Sequence, residues 1–262
     1  MALINEKAIP DTDKLYQEIA RRQTNRNKSE KQNIDQNIIE ELHNLNSHHN
    51  SNLQVFSDQS IIQKASDLLA EADVVRFLNK YLYDELMDEI RWDKKSAIQR
   101  PWGVELDLFD LTPKERIGFN IANSWNVASF VKRIGGKALG DLTKKQILDS
   151  SALAYVSITD LTPESFYNAG KLVQQLWLEL SSHNIAVHPF AALSYFIIRH
   201  HLGETHFFSD DEKSLLNKLS KEWSKLFDLK DGEFTVFFCK LSYAPRAAMS
   251  QRIPVDQVLS FK

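Results

Sequence analysis

The chain contains a single cysteine, Cys239, so no disulfide can form within it. That usage fits a reducing compartment, and a cytoplasmic location is expected. The neighbours Phe237, Phe238 and Leu241 predict a buried core thiol rather than a nucleophile. No apolar run reaches the roughly 18 residues that a membrane-crossing helix needs, so no membrane span is expected. Residues 1–10 lack the long apolar core of a secretory leader. No excess of positive charge exists: the formal net charge is −3, which argues against nucleic acid as a partner. There is no His-Glu-x-x-His spacing for zinc and no Gly-x-Ser-x-Gly turn for a serine nucleophile. Adjacent histidines such as His200 and His201 would point about 100° apart on a helix, so they do not readily share one ion, and no metal site is expected. No internal repeat is evident.

What is present is ordinary material for a globular core. The 262 residues are 43% hydrophobic and 26% charged, which fits one large domain or two small ones. Apolar spacing predicts helices over about 13–23 and 35–47, and a long helical stretch over 60–91 broken near Ala72. Residues 93–111 read as an irregular crossing loop. Thr112-Pro113-Lys114-Glu115 is a helix start, with Thr as cap, Pro in the first turn and Glu reaching back. A short helix is expected over 127–133, ending at Gly135-Gly136. Further helices are expected from Thr162-Pro163 to about Ser181, at 191–201 and at 210–226, with a short one near 254–259. Gly170 is expected to let a neighbouring backbone come close. Short strands are predicted at 53–56, 152–159, 185–187 and 233–242. Regular βαβ alternation is missing, so the fold class is α+β: a small mixed or antiparallel sheet flanked by helices.

The segment most informative about chemistry is Arg21-Arg22-Gln23-Thr24-Asn25-Arg26. Forked guanidinium donors match phosphate oxygens, and a Thr hydroxyl adds a short donor beside them. Taken alone, the same cluster reads better as a basic helix C-terminus that offsets the helix dipole. Near the other end, Leu241-Ser242-Tyr243-Ala244-Pro245 closes a strand, and Arg252 stands two residues before Pro254. A surface arginine is the commoner reading of Arg252 by itself.

Together, Arg22-x-Thr24-x-Arg26, the Tyr243-Ala244-Pro245 strand end and Arg252 resemble the nitroreductase-like family. The strand 152–159, the helix bearing Gly170 and Gln174, and Ile185-Ala186-Val187-His188-Pro189 are similar to that family in the same chain order. The likeness runs over about residues 11–260 and is nearest the divergent branch whose members can be fused to a ThiF-like adenylyltransferase domain. It implies a single nitroreductase-like domain over 1–262, with about 60–111 as an insert or lid. It implies FMN as cofactor and NAD(P)H as electron donor, with a small conjugated acceptor such as a nitroaromatic or quinone as substrate. It implies that Arg22, Thr24, Arg26 and Arg252 hold the FMN phosphate and that Gln23 reaches ribityl or ring atoms. Pro189, Phe190 and Ala191 would pass beside the reactive edge of the flavin, with the backbone of Phe190 or Ala191 donating to N5. No catalytic side chain is implied, because the flavin does the chemistry. A homodimer is the usual assembly, and a ThiF-like adenylating protein is an expected partner. The sequence departs from the family in lacking an Asn-x-Gln-Pro-Trp segment, and Ser250 stands where a second basic residue often sits. Those departures favour the alternative of a non-catalytic flavin-binding or partner-binding member.

Overall fold

The computed structural model describes residues 12–30, 32–48, 51–100, 102–133, 136–250 and 252–259. The chain opens with α1 (Thr12–Arg21) and α2 (Gln36–Asn44), followed by a 3-10 turn and β1 (Asn52–Phe56). Next come α3 (Gln59–Leu78), α4 (Lys80–Glu89), β2 (Ile90–Arg91), α5 (Lys94–Gln99) and β3 (Val104–Glu105). Three helices follow: α6 (Pro113–Ala122), α7 (Trp125–Arg133) and α8 (Lys137–Leu148). The second half holds β4 (Ala152–Ile158), α9 (Pro163–Ser182), β5 (Ala186–Pro189), α10 (Ala192–His201), α11 (Asp210–Leu226), β6 (Phe234–Ser242) and α12 (Val255–Val258).

The main sheet has the order β1-β4-β6-β5, with every neighbouring pair antiparallel. All seven residues of β4 are buried, because helices cover both faces of the sheet. Alternate side chains therefore enter two different cores. Leu153 and Tyr155 join α3, α10 and α11 on one face. Ala152, Ala154, Val156 and Ile158 join α2 and α9 on the other. This is the period-2 alternation of a strand applied to a sheet without a wet face. Cys239 sits fully buried in the second core, and burial pushes its thiol pKa up, as expected of an inert structural thiol.

Three expectations are corrected by the fold. The long helical stretch breaks at Asn79, not Ala72. Ala72 is a buried mid-helix residue of α3, whereas Asn79 leaves the helix with extended backbone and caps α4 by accepting from the Leu82 N–H at 3.2 Å. Its amide also donates to Phe207 O at 2.7 Å and to Glu212 Oε2 at 3.0 Å, fixing the break against α11. Residues 93–111 are not one irregular loop: α5 forms behind a capping box of Asp93 and Ser96, and β2 pairs with β3 in parallel. The close backbone approach is at Gly140, not Gly170. A Cβ on Gly140 would lie 2.8 Å from Ala70 O, where α8 presses on α3, while Gly170 faces open space. Of the helix end expected at Gly135-Gly136, Gly135 lies outside the described residues; Gly136 takes φ 63° at the start of α8.

The stretch read as an insert divides in two. Ile62, Ala65, Leu68, Leu69, Ala72 and Val75 of α3 belong to the main core. Leu86, Ile90 and Leu106 build a separate small cluster with Phe77, Trp92, Phe109 and Phe119. That cluster and α6 stand at the mouth of the cleft described below.

Two outcomes follow for urea unfolding. Gly140→Ala destabilises by about 1–3 kcal/mol, since backbone must move to admit the methyl group, whereas Gly170→Ala is neutral or stabilising by up to about 1 kcal/mol. Asn79→Ala costs about 2–3 kcal/mol through loss of a cap and of buried hydrogen bonds. Equal effects at the two glycines would show that the α3–α8 contact is not tight.

Candidate functional site

After α1 ends, residues 22–27 run extended along the outer edge of β5. Thr24 pairs with Val187 in parallel, and the Asn25 N–H donates to Val187 O at 3.0 Å. Odd-numbered side chains bind the C-terminal segment. The Gln23 amide donates to Ala247 O at 2.9 Å, and the amides of Asn25 and Asn27 both donate to Pro245 O at 2.9 Å. The Glu30 N–H donates to Tyr243 O at 2.8 Å, and Arg252 Nη2 donates to Arg22 O at 2.6 Å. The two chain segments singled out in the sequence are thus zipped together.

Of the even-numbered residues, Arg22 turns to the α9 side of the sheet and Arg26 to the cleft on the α3 side. Arg22 lies over the Trp177 ring, 4.6 Å from its centroid. Its pKa is lowered, first by burial and then by the like charge of Arg252. Arg26 lies over the Phe109 ring at 5.1 Å, and burial lowers its pKa too. Among the described residues no carboxylate pairs with Arg22, Arg26 or Arg252, and the Thr24 hydroxyl has no protein partner. Gln23 Oε1 is buried without a hydrogen bond. Partly desolvated cations held close without a counter-charge are costly unless an anion joins them.

The site residues fall into two groups. Arg22, Gln23, Thr24 and Arg252 gather where the N-terminal strand meets the tail. Arg26, Pro189, Phe190 and Ala191 line a cleft of about 350 Å³ on the α3 side of the sheet. The cleft walls are mostly apolar, with Leu69, Phe77, Phe109, Phe119 and Leu142 among them. At its edge α10 begins at Ala191 with no side-chain cap, so first-turn N–H groups of a helix start beside the cleft. The Phe190 N–H is already given to Phe238 O at 2.8 Å. A backbone donor toward a ligand in this place therefore falls to Ala191, while Phe190 contributes to the wall.

Several buried polar groups in and beside the cleft were not singled out in the sequence. His188 is cross-strand partner to Lys240, and both are buried. Burial, then the positive charges of Arg26 and Lys240, hold the His188 pKa well below its usual range, so the ring is neutral; its Nδ1 is buried without a partner. Lys240 Nζ donates to Gln146 O at 3.2 Å, and burial lowers its pKa against the opposing pull of Asp149 and Asp110. Asp73 of α3 and Thr143 of α8 are hydrogen-bonded to each other and line the cleft. A lone lysine inside the apolar strand Phe234–Ser242 is a signal that sequence inspection can find; Asp73 and Thr143 meet only through the α3–α8 packing. Trp92, Trp102 and Trp125 are absent from the cleft lining. Trp92 and Trp125 pack on Phe119 and Tyr83, and Trp102 is exposed.

No family model matches the sequence. A curated protein of Mycobacterium tuberculosis, described as uncharacterized protein MT1398, is 27% identical over 246 residues, 93% of this chain and 34% of that protein. The chain thus spans about a third of the length of the curated relative it matches. Among solved structures, the FMN-dependent nitroreductase NfnB from Mycobacterium smegmatis in complex with NADPH superposes with a TM-score of 0.52 at 14% identity, covering 96% of this chain and 99% of that one. The FMN and NADPH-dependent nitroreductase NfnB from Sphigopyxis sp. strain HMH gives 0.52 at 12% identity, covering 95% and 98%. A nitroreductase with bound FMN from Desulfitobacterium hafniense gives 0.50 at 11% identity over 95% and 98%. The chain has the nitroreductase-like fold.

Proposed function

We propose that this chain is an FMN-dependent oxidoreductase that takes electrons from NAD(P)H and passes them to a small conjugated acceptor, a nitroaromatic or a quinone. The observation that carries this reading is the set Arg22, Arg252 and Arg26 on and beside one short segment, Arg26 at the cleft, in which no guanidinium has a carboxylate partner among the described residues. The donor set fits the group. Arg22, Arg252 and the Thr24 hydroxyl would hold a phosphate, and the buried, unpartnered Gln23 Oε1 stands ready to accept from a ligand hydroxyl. Arg26 would meet a polar edge inside the cleft, against the wall of Pro189, Phe190 and Ala191. Bound FMN supplies the hydride and electron transfer; the protein's part is binding, orientation and electrostatics. The apolar walls exclude water, which strengthens each of these polar contacts. Solved structures of the same fold that are described as FMN-dependent or FMN-bound support the reading.

The reading extends to assembly. Tyr16 and Ile19 of α1 and Tyr167 of α9 are 72%, 46% and 68% exposed beside the open Gly170. Such a continuous apolar face supports a homodimer. The greater length of the M. tuberculosis relative supports work alongside a further domain, and a ThiF-like adenylating protein is the partner we propose. A flavin-holding member without turnover is the second reading, favoured by the missing Asn-x-Gln-Pro-Trp segment.

Flavin titrations test the site. The purified protein takes up FMN, and Arg22→Ala or Arg252→Ala weakens FMN binding by about 10- to 100-fold. Riboflavin, which has no phosphate, is bound equally by wild type and by these two variants, while Arg26→Ala weakens both ligands. A protein that binds neither flavin would refute the reading. Bleaching of bound FMN by NADH or NADPH separates turnover from mere flavin holding.

A further inference from the structure

Three carboxylates line the cleft, and they differ in what already holds them. Glu115 is tied into the capping box of α6: its side chain accepts from the Thr112 N–H at 2.8 Å, and these bonds hold its pKa down. Glu89 ends α4. Asp73 lies in the last third of α3, among Leu69, Phe77, Leu139 and Leu142 of the cleft wall. Its Oδ2 accepts from the Thr143 hydroxyl. Its other oxygen, Oδ1, has no partner among the described residues. Arg76, which lines the same cleft about one turn later, has no ion pair with a carboxylate among the described residues.

We propose that Asp73 is a proton donor for the substrate in this cleft, a role that rests on the oxidoreductase reading above. In the reduction of a conjugated acceptor, hydride brings an electron pair to one atom of a double bond, and the π bond breaks. The displaced pair moves to the far atom, which needs a proton. The O–H bond of the Asp73 carboxyl group breaks and its proton goes to that atom. The two electrons come from NAD(P)H by way of the flavin. The carboxylate left behind keeps its Thr143 hydrogen bond, gains the nearby charge of Arg76, and recovers a proton from solvent.

The surroundings suit that cycle. Desolvation raises the Asp73 pKa, while Arg76 and the Thr143 bond lower it in part. The other charged or titratable groups facing the cleft are Glu89 of α4, Glu115 of α6, Arg26 and His188. Among the described residues α10 lines the cleft only through Ala192, and α11 does not line it. A raised carboxyl pKa makes the protonated donor abundant at lower pH and removes it as pH rises.

Two measurements test the assignment. In flavin-free protein with carbon-13-labelled aspartate, one carboxyl should titrate above the rest. Asp73→Asn removes that signal, and Thr143→Val shifts it upward by deleting a bond to the charged form. In flavin-loaded protein, rapid mixing separates reduction of the flavin by NAD(P)H from its reoxidation by a nitroarene. Asp73→Asn should leave the first step unchanged and slow the second by about 100-fold, the usual scale of general acid catalysis. Wild-type reoxidation should fall as pH rises through the Asp73 titration. The Asn variant should be flat with pH, and Asp73→Glu should recover part of the rate. Reoxidation of Asp73→Asn at the wild-type rate and pH profile would overturn the assignment, as would an Asp73 signal that titrates with the other aspartates. Failure to bind flavin, or to be reduced by NAD(P)H, would refute the underlying reading instead and remove the proposal with it.

Discussion

Everything about the candidate site depends on the extended segment 22–30 lying between β5 and the C-terminal residues 243–252. One side of this segment spends its hydrogen-bonding capacity on Pro245 and Ala247, and its backbone satisfies the open edge of β5. That commitment holds Arg252 against Arg22 at one end of the segment and leaves Arg26 in the cleft. Among the described residues no carboxylate is paired with Arg22, Arg26 or Arg252. The sheet edge and the binding surface are thus two sides of one short piece of chain.

Much of the fold was legible in the sequence. Thr112, Thr162 and Ser209 start α6, α9 and α11 by accepting from backbone N–H groups, and the spacing of hydroxyl, Pro and Glu marks two of these starts without a structure. β4 and β6 stood out as apolar runs. What was not legible came from tertiary packing. α8 begins at Gly136, which offers no side-chain cap, and Gly140 interrupts its apolar stripe for the sake of close contact with Ala70. The break at Asn79 is set by Phe207 and Glu212, more than 120 residues away, as hydrogen bonds with sequence separations of 128 and 133.

The site shows the same division. The arginine segment drew notice through its resemblance to a known family; by itself it reads as a basic helix end. The buried groups of the cleft were not. His188 drew notice only as a neighbour of Pro189. Lys240 belongs to a strand whose other residues are apolar or small, and its pairing with His188 needs the register of β5 against β6. Asp73 reads in sequence as one more helical carboxylate until α8 brings Thr143 to it.

The sheet order also governs when the site can exist. β6, the last strand in sequence, sits between β4 and β5, so β5 has no neighbour in the sheet until residues 234–242 are available. The segment 22–27 then docks on β5 and on residues beyond β6. Pairings this distant in sequence carry the entropy of closing long loops before they return any contact energy, and chains built this way fold slowly. A nascent or partly unfolded chain can keep α3, α9 and much of their helical neighbourhood while exposing the apolar edges of β4. The candidate site is therefore complete only once segments 224 and 220 residues apart have met.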